Sequence, residues 1–148
     1  AMAAGIAADR ADLFDAGARS FEVGVAQIQP DGTLPLELAR RSRALHYHLF
    51  ACAPLVILAE LAAANGRNFY GARDGAVARL AERALSGLAD PSFFAQRTGV
   101  SQEPVGMSGH TVAWITPFVA RFPERSMLAP VRRGAMPKGL YIGGLPPM

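Results

Sequence analysis

The stretch DGTLPLELARRSRALHYHLFACAPLVILAELAAANG, from Asp31 to Gly66, decides the fold. From about Glu37 to Asn65 its apolar residues recur at helical spacing, without the alternation of a strand. At about 100° per residue, Arg40, Arg43, Tyr47 and Ala51 share one stripe, with Phe50 beside it. Leu38, Leu45, Leu49, Cys52 and Val56 line the opposite side. Pro54 removes a backbone donor, so the helix is expected to kink there or divide into two pieces. Asn65-Gly66 tolerates the left-handed conformation that ends helices. At the other end, Pro30-Asp31-Gly32 supplies a preset φ and a residue that accepts a positive one, which is the chemistry of a chain reversal.

Outward from this stretch the same period persists. Phe14, Ala18, Phe21, Val25 and Ile28 form one stripe of a helix from about Ala11 to Gln29. Asp74 is the expected N-cap of a helix from Gly75 to Leu85, closed by Gly87, with Val77, Leu80, Ala81 and Ala84 on one face. Asp90-Pro91 opens a short helical turn through Phe93 and Phe94. A loop is expected from Arg97 to Gly109. A last helix from about Thr111 to Phe122 carries Trp114, Phe118 and Phe122, with Pro117 set to kink it or move its start. The proline- and glycine-rich stretch from Pro123 to Met148 reads as an irregular tail. The expectation is an all-α chain of antiparallel helical hairpins, with residues 1–148 forming one domain.

Composition agrees with a globular chain. The 148 residues are 51% hydrophobic and 18% charged, enough apolar content to bury a core without metals or cross-links. Cys52 stands alone and reads as a small buried hydrophobe. The run Ala51 to Ala64 is interrupted by Pro54 and Glu60 and falls short of the ~18 apolar residues of a spanning helix, so no membrane contact is expected. Ala1 to Ala8 lacks a basic start and reads as the later part of a helix rather than as a signal peptide. The net charge of +3 comes from arginines, with Lys138 the single lysine, and the arginines cluster at Arg40, Arg41 and Arg43. There is no phosphate-cradling glycine loop, no Gly-x-Ser-x-Gly elbow and no aromatic-basic interleaving, so neither nucleotide nor nucleic-acid binding is expected.

Two guanidiniums and a phenol on one polar face can bind a carboxylate and move a proton. Arginine's planar fork matches a carboxylate and keeps its charge, and nearby cations favour tyrosinate. The same spacing also describes a solvated helix face with cation–π stacking. His46 and His48 fall on different faces without a third ligand, so no metal site is expected. His110 reads as an ordinary polar residue, and Trp114 as core rather than a sugar platform.

The words from Asp31-Gly32-Thr33-Leu34-Pro35-Leu36-Glu37-Leu38-Ala39-Arg40-Arg41 to Ser42-Arg43-Ala44-Leu45-His46-Tyr47-His48 resemble the central motif of the alginate lyases of polysaccharide lyase family 5. Asp12-Leu13-Phe14-Asp15, Ala53-Pro54-Leu55, Gly75-Ala76, Arg79-Leu80-Ala81-Glu82-Arg83, and Ala113-Trp114 with Pro117 resemble that family in the same order. The resemblance implies part of an α/α toroid and depolymerisation of polymannuronate by β-elimination, with no cofactor. It implies that Tyr47 acts at the C5 proton and the glycosidic O4, that Arg40 helps neutralise the uronate carboxylate, and that Phe50 lies at a sugar subsite; Arg43, on the same polar face, is expected to bind substrate. Phe50 stands where relatives tend to carry a tyrosine. It further implies a periplasmic or secreted enzyme of acidic polysaccharide. The family's Asn-Asn-His segment, followed by Tyr-Trp, belongs upstream of Ala1 to Arg10, so the expectation is a C-terminal half that works weakly alone and associates through its incomplete edge. The alternative is a non-catalytic helical module that binds acidic polysaccharide or a partner chain.

Overall fold

A computed structural model describes residues 1–106 and 109–124. Among them every regular element is helical: α1 (Met2–Ala7), α2 (Ala11–Val25), α3 (Pro35–Leu38), a 3₁₀ turn (Arg41–Arg43), α4 (Ala44–Ala64), α5 (Ala76–Ala89), α6 (Ser92–Thr98), α7 (Gly109–Val112) and α8 (Ile115–Arg121). The all-α expectation holds. The tail expected from Pro123 lies outside the described residues beyond Glu124.

Helix α4 is the centre, contacted by every other helix. Leu45, Leu49, Cys52, Val56 and Ala59 on its inner face are fully or almost fully buried against Phe21, Val25, Leu80, Phe94, Trp114 and Phe118. Replacing any one of these buried aromatics by alanine is expected to cost about 3–5 kcal/mol. Trp114 is core, as expected, its indole N–H donating to the Thr111 carbonyl at 2.8 Å. Helices α1 and α2 touch backbone to backbone: a Cβ on Gly17 would stand 2.5 Å from that of Met2, so only glycine admits this approach.

Several boundaries differ from the sequence reading. The helix expected from Glu37 to Asn65 is interrupted, because Arg41 adopts φ +55° in the left-handed region and breaks the chain into α3, the 3₁₀ turn and α4. Pro54 divides nothing. The donor it lacks would have met the Phe50 carbonyl, and both residues face outward, so water can serve that oxygen without cost to the core. Asp74 does not cap α5; it has φ +54°, and Gly75 at φ +76° takes the N-cap position. Gly87 lies buried inside α5, which continues to Ala89. Asp90 does accept from Ser92, at its amide (2.9 Å) and hydroxyl (2.8 Å), and the helix it opens extends to Thr98, shortening the expected loop. Helix α2 ends at Val25, short of Gln29, although Ile28 is buried as expected. The expected last helix is two pieces, with Pro117 in the first turn of α8, where its missing N–H costs nothing. The end of α4 follows expectation: the Gly66 amide donates to Ala63 and that of Arg67 to Ala62, the pair of bonds that closes a Schellman cap.

By length and composition Arg41–Ala64 is long and apolar enough to cross a membrane, with a mean hydropathy of 1.7, a property that the central helix of a helical array shares. Here its inner face is the core of the helical array.

Candidate functional site

Arg40, Arg43 and Tyr47 come together, though not on a single helix. Arg40 follows α3, Arg43 closes the 3₁₀ turn, and Tyr47 sits in the first turns of α4. The guanidinium carbon of Arg40 lies 4.6 Å from the centre of the Tyr47 ring and that of Arg43 lies 5.2 Å from it. Both arginine side chains are more than half exposed, Tyr47 is half-buried, and Phe50, one turn further on, is 50% exposed. Each guanidinium has a carboxylate nearby: Arg40 Nε is 3.7 Å from Glu37 Oε2, and Arg43 Nε is 3.8 Å from Glu103 Oε2. These separations are too long for hydrogen bonds.

The two histidines have different fates. His48 is fully buried, and its Nε2 lies 2.9 Å from the Leu34 amide, which has only a proton to give, so Nε2 accepts. Nδ1 must then carry the ring proton and donate to the Ala44 carbonyl at 2.7 Å. Burial pushes its pKa below the ordinary value, against the pull of the Ala44 hydrogen bond and of Asp31, which keeps the ring neutral. His46 turns its ring edge-on to Tyr47, 5.3 Å away, closer than its place around the helix suggested. Among the described residues no three His, Cys, Asp or Glu side chains gather as a metal site.

The first residues of the long motif are architectural. Gly32 has φ +80°, and a Cβ there would stand 2.5 Å from the Arg79 carbonyl. Asp31 Oδ1 accepts from the Thr33 amide (3.0 Å) and hydroxyl (2.6 Å), its carbonyl accepts from Arg83 Nε (2.9 Å), and its other carboxylate oxygen is 3.2 Å from Arg97. Burial works against this carboxylate, but the Thr33 bonds with Arg97 and Arg83 outweigh it and hold the pKa below the usual range. A cavity of about 300 Å³ opens between this turn and the polar face of α5, lined by Pro30, Asp31, Arg79, Glu82, Arg83 and Ser86, and none of the sequence-predicted site residues lines it.

Sequence reading missed two groups. Tyr70 donates to Glu60 at 2.9 Å, and Arg121 grips the same carboxylate at 3.2 and 2.6 Å, tying α8 to α4. Burial, reinforced by Glu60, drives the Tyr70 phenol well above its ordinary pKa, which removes it as a base near neutrality. The other group is Gln102 and Glu103, which reach back to the turn carrying the arginines. Nothing in the local sequence marks either, since both depend on contacts across long chain separations.

The family model described as alginate lyase matches residues 1–94, a stretch that holds the whole Arg40–Tyr47 cluster. The chain belongs to the alginate lyase family. A polysaccharide lyase of Stenotrophomonas maltophilia is 46% identical over 123 residues, covering 83% of this chain and 36% of that protein. An alginate lyase of Pseudomonas syringae pv. syringae is 38% identical over 122 residues, covering 82% and 32%. One from Cobetia marina is 36% identical over 145 residues, covering 97% and 39%. The chain thus spans about a third of the length of these relatives. Among solved structures, the apo form of a histidine-to-alanine variant of alginate lyase A1-III superposes with a TM-score of 0.70 at 23% identity, over 79% of this chain and 34% of that one, and shares its fold.

Proposed function

We propose that this alginate-lyase-family chain carries the proton-transfer side of a polysaccharide lyase that cleaves polymannuronate by β-elimination. The observation that supports it best is the half-buried Tyr47 flanked by two guanidiniums at 4.6 and 5.2 Å. In this reading the Tyr47 phenolate oxygen takes the C5 proton, the electron pair forms the C4=C5 double bond as the C4–O4 bond breaks, and the phenol returns its proton to O4 on the same face of the sugar. Arg40 neutralises the uronate carboxylate as charge develops on it, a contribution on the order of 3 kcal/mol for such a contact. Arg43 and Phe50 hold neighbouring sugars. The reaction as drawn calls on no cofactor. The 148 residues act as one unit, part of an α/α toroid in a periplasmic or secreted enzyme whose partner is an acidic polysaccharide rather than nucleic acid or membrane.

The experiment is a chimera in which this chain replaces the matching stretch of the Stenotrophomonas maltophilia relative, assayed by the ultraviolet absorbance of unsaturated uronate ends. Cleavage of polymannuronate by the chimera, with weak or no cleavage by the 148-residue chain alone, is the expected result. A folded chimera that binds polyuronate without cleaving it would instead support the module reading, which draws on the open, half-exposed setting of Arg40, Arg43 and Phe50.

A further inference from the structure

The segment after α6 carries no motif, yet it grips the turn that presents the arginines. Gln102 Oε1 accepts from the Leu45 amide at 3.0 Å, capping the start of α4, while its Nε2 donates to the Arg41 carbonyl at 3.0 Å and to Thr98 Oγ1 at 3.1 Å. Glu103 takes the Ser42 hydroxyl at 2.7 Å on one carboxylate oxygen, and its amide donates to the Ser42 carbonyl at 2.8 Å. Its second oxygen is the one 3.8 Å from Arg43 Nε. The residue held between these contacts is Arg41 at φ +55°, a conformation that residues other than glycine adopt uncommonly and at some cost. The turn is therefore held from a distance of some sixty residues along the chain, and Glu103 touches Arg43 itself.

We infer that Glu103, seated by Gln102, is a positioning residue that sets the Arg43 guanidinium beside the Tyr47 ring for the substrate. The inference rests on the reading of Tyr47 and its arginines as a polyuronate site. Glu103 does not touch the reacting sugar in this scheme. Its second oxygen restrains Arg43 at a separation that leaves the guanidinium fork open to a carboxylate of the polymer.

The sign of the effect separates this role from plain electrostatics. Removing a negative charge beside a site for a polyanion tightens binding if charge alone matters. Positioning demands the opposite. In Glu103→Gln the amide oxygen still accepts from Ser42, so the turn stays anchored, but the pair with Arg43 is lost. Calorimetry with a mannuronate oligomer on the full 148-residue chain should show affinity falling about two- to fivefold, the scale of an exposed ion pair. KM in the chimera should rise by the same factor with kcat nearly unchanged and an unaltered melting temperature. Ser42→Ala, which loosens the turn but spares the ion pair, should lower the melting temperature and move KM less. Unchanged or tighter binding in Glu103→Gln overturns the inference, as does a KM change in Ser42→Ala equal to that in Glu103→Gln. Tyr47→Phe, run beside them, keeps the two claims apart: full activity there overturns the site itself, whereas lost activity there with an unmoved Glu103→Gln overturns only the positioning role.

Discussion

Tyr47 and His48 are neighbours in the chain and opposites in the molecule. Tyr47 faces outward between two guanidiniums, with an exposed turn around it. His48 faces inward, sealed against Phe94, with both ring nitrogens committed to backbone groups of Leu34 and Ala44. A rotation of about 100° around one helix separates an outward phenol beside two guanidiniums from a ring whose two nitrogens are both committed to the backbone. A single motif thus serves two tasks. Its outward residues are available for chemistry, and its inward ones fix the turn from Asp31 to Leu34 to the helix that presents them.

This contrast can be broken most severely from the architectural side. Gly32→Val should be the largest perturbation, destabilising by about 3 kcal/mol or more, since it combines a positive φ with a clash against the Arg79 carbonyl; failure to accumulate soluble folded chain would be the readout. His48→Ala should follow, at about 2–4 kcal/mol by denaturant unfolding, because it empties a buried site and leaves the Leu34 amide without an acceptor.

Acid should act on the same inward face. His48 has a folded pKa below its unfolded value of about 6.5, so unfolding takes up a proton once the pH drops below that value. Stability should be level above it and fall by up to about 1.4 kcal/mol per pH unit below it, until the folded pKa is reached. Asp31, held low in the folded state, adds its own loss only below about pH 4. In His48→Gln the first of these slopes should vanish while the second remains, as measured by melting temperature against pH. The smallest effect belongs to the outward face: Phe50→Ala, half exposed, should change stability by no more than about 0.5 kcal/mol while weakening oligomannuronate binding.

The helices and the Arg40–Arg43–Tyr47 grouping were legible in the sequence because both follow from spacing, and a helix's spacing is local. The inner stripe of α4 and the stripe from Phe14 to Ile28 could be read for that reason. The break at Arg41 was not, since the left-handed residue there sits in a turn held by Gln102 and Glu103, whose reach no local pattern reveals. The grouping survived the break because arginine is long enough to reach the Tyr47 ring from a turn as well as from a helix. Pro54 does not divide α4 as expected, because it stands on the exposed side of the helix where water can serve the orphaned carbonyl, and exposure cannot be read from the residue alone. Glu60, Tyr70 and Arg121 form a triad that only the packing of α8 on α4 assembles.

The most direct test sets the two neighbours against each other in the chimera, with initial rate on polymannuronate and melting temperature recorded for Tyr47→Phe and His48→Gln. Tyr47→Phe should lose about 10²–10⁴-fold in rate, as expected of a general acid–base residue, with its melting temperature unchanged. His48→Gln should melt several degrees lower and keep most of its rate per folded molecule. A Tyr47→Phe protein of full activity, or a His48→Gln protein that melts normally but no longer cleaves, would contradict the assignment of chemistry to the outward face of α4 and architecture to the inward one.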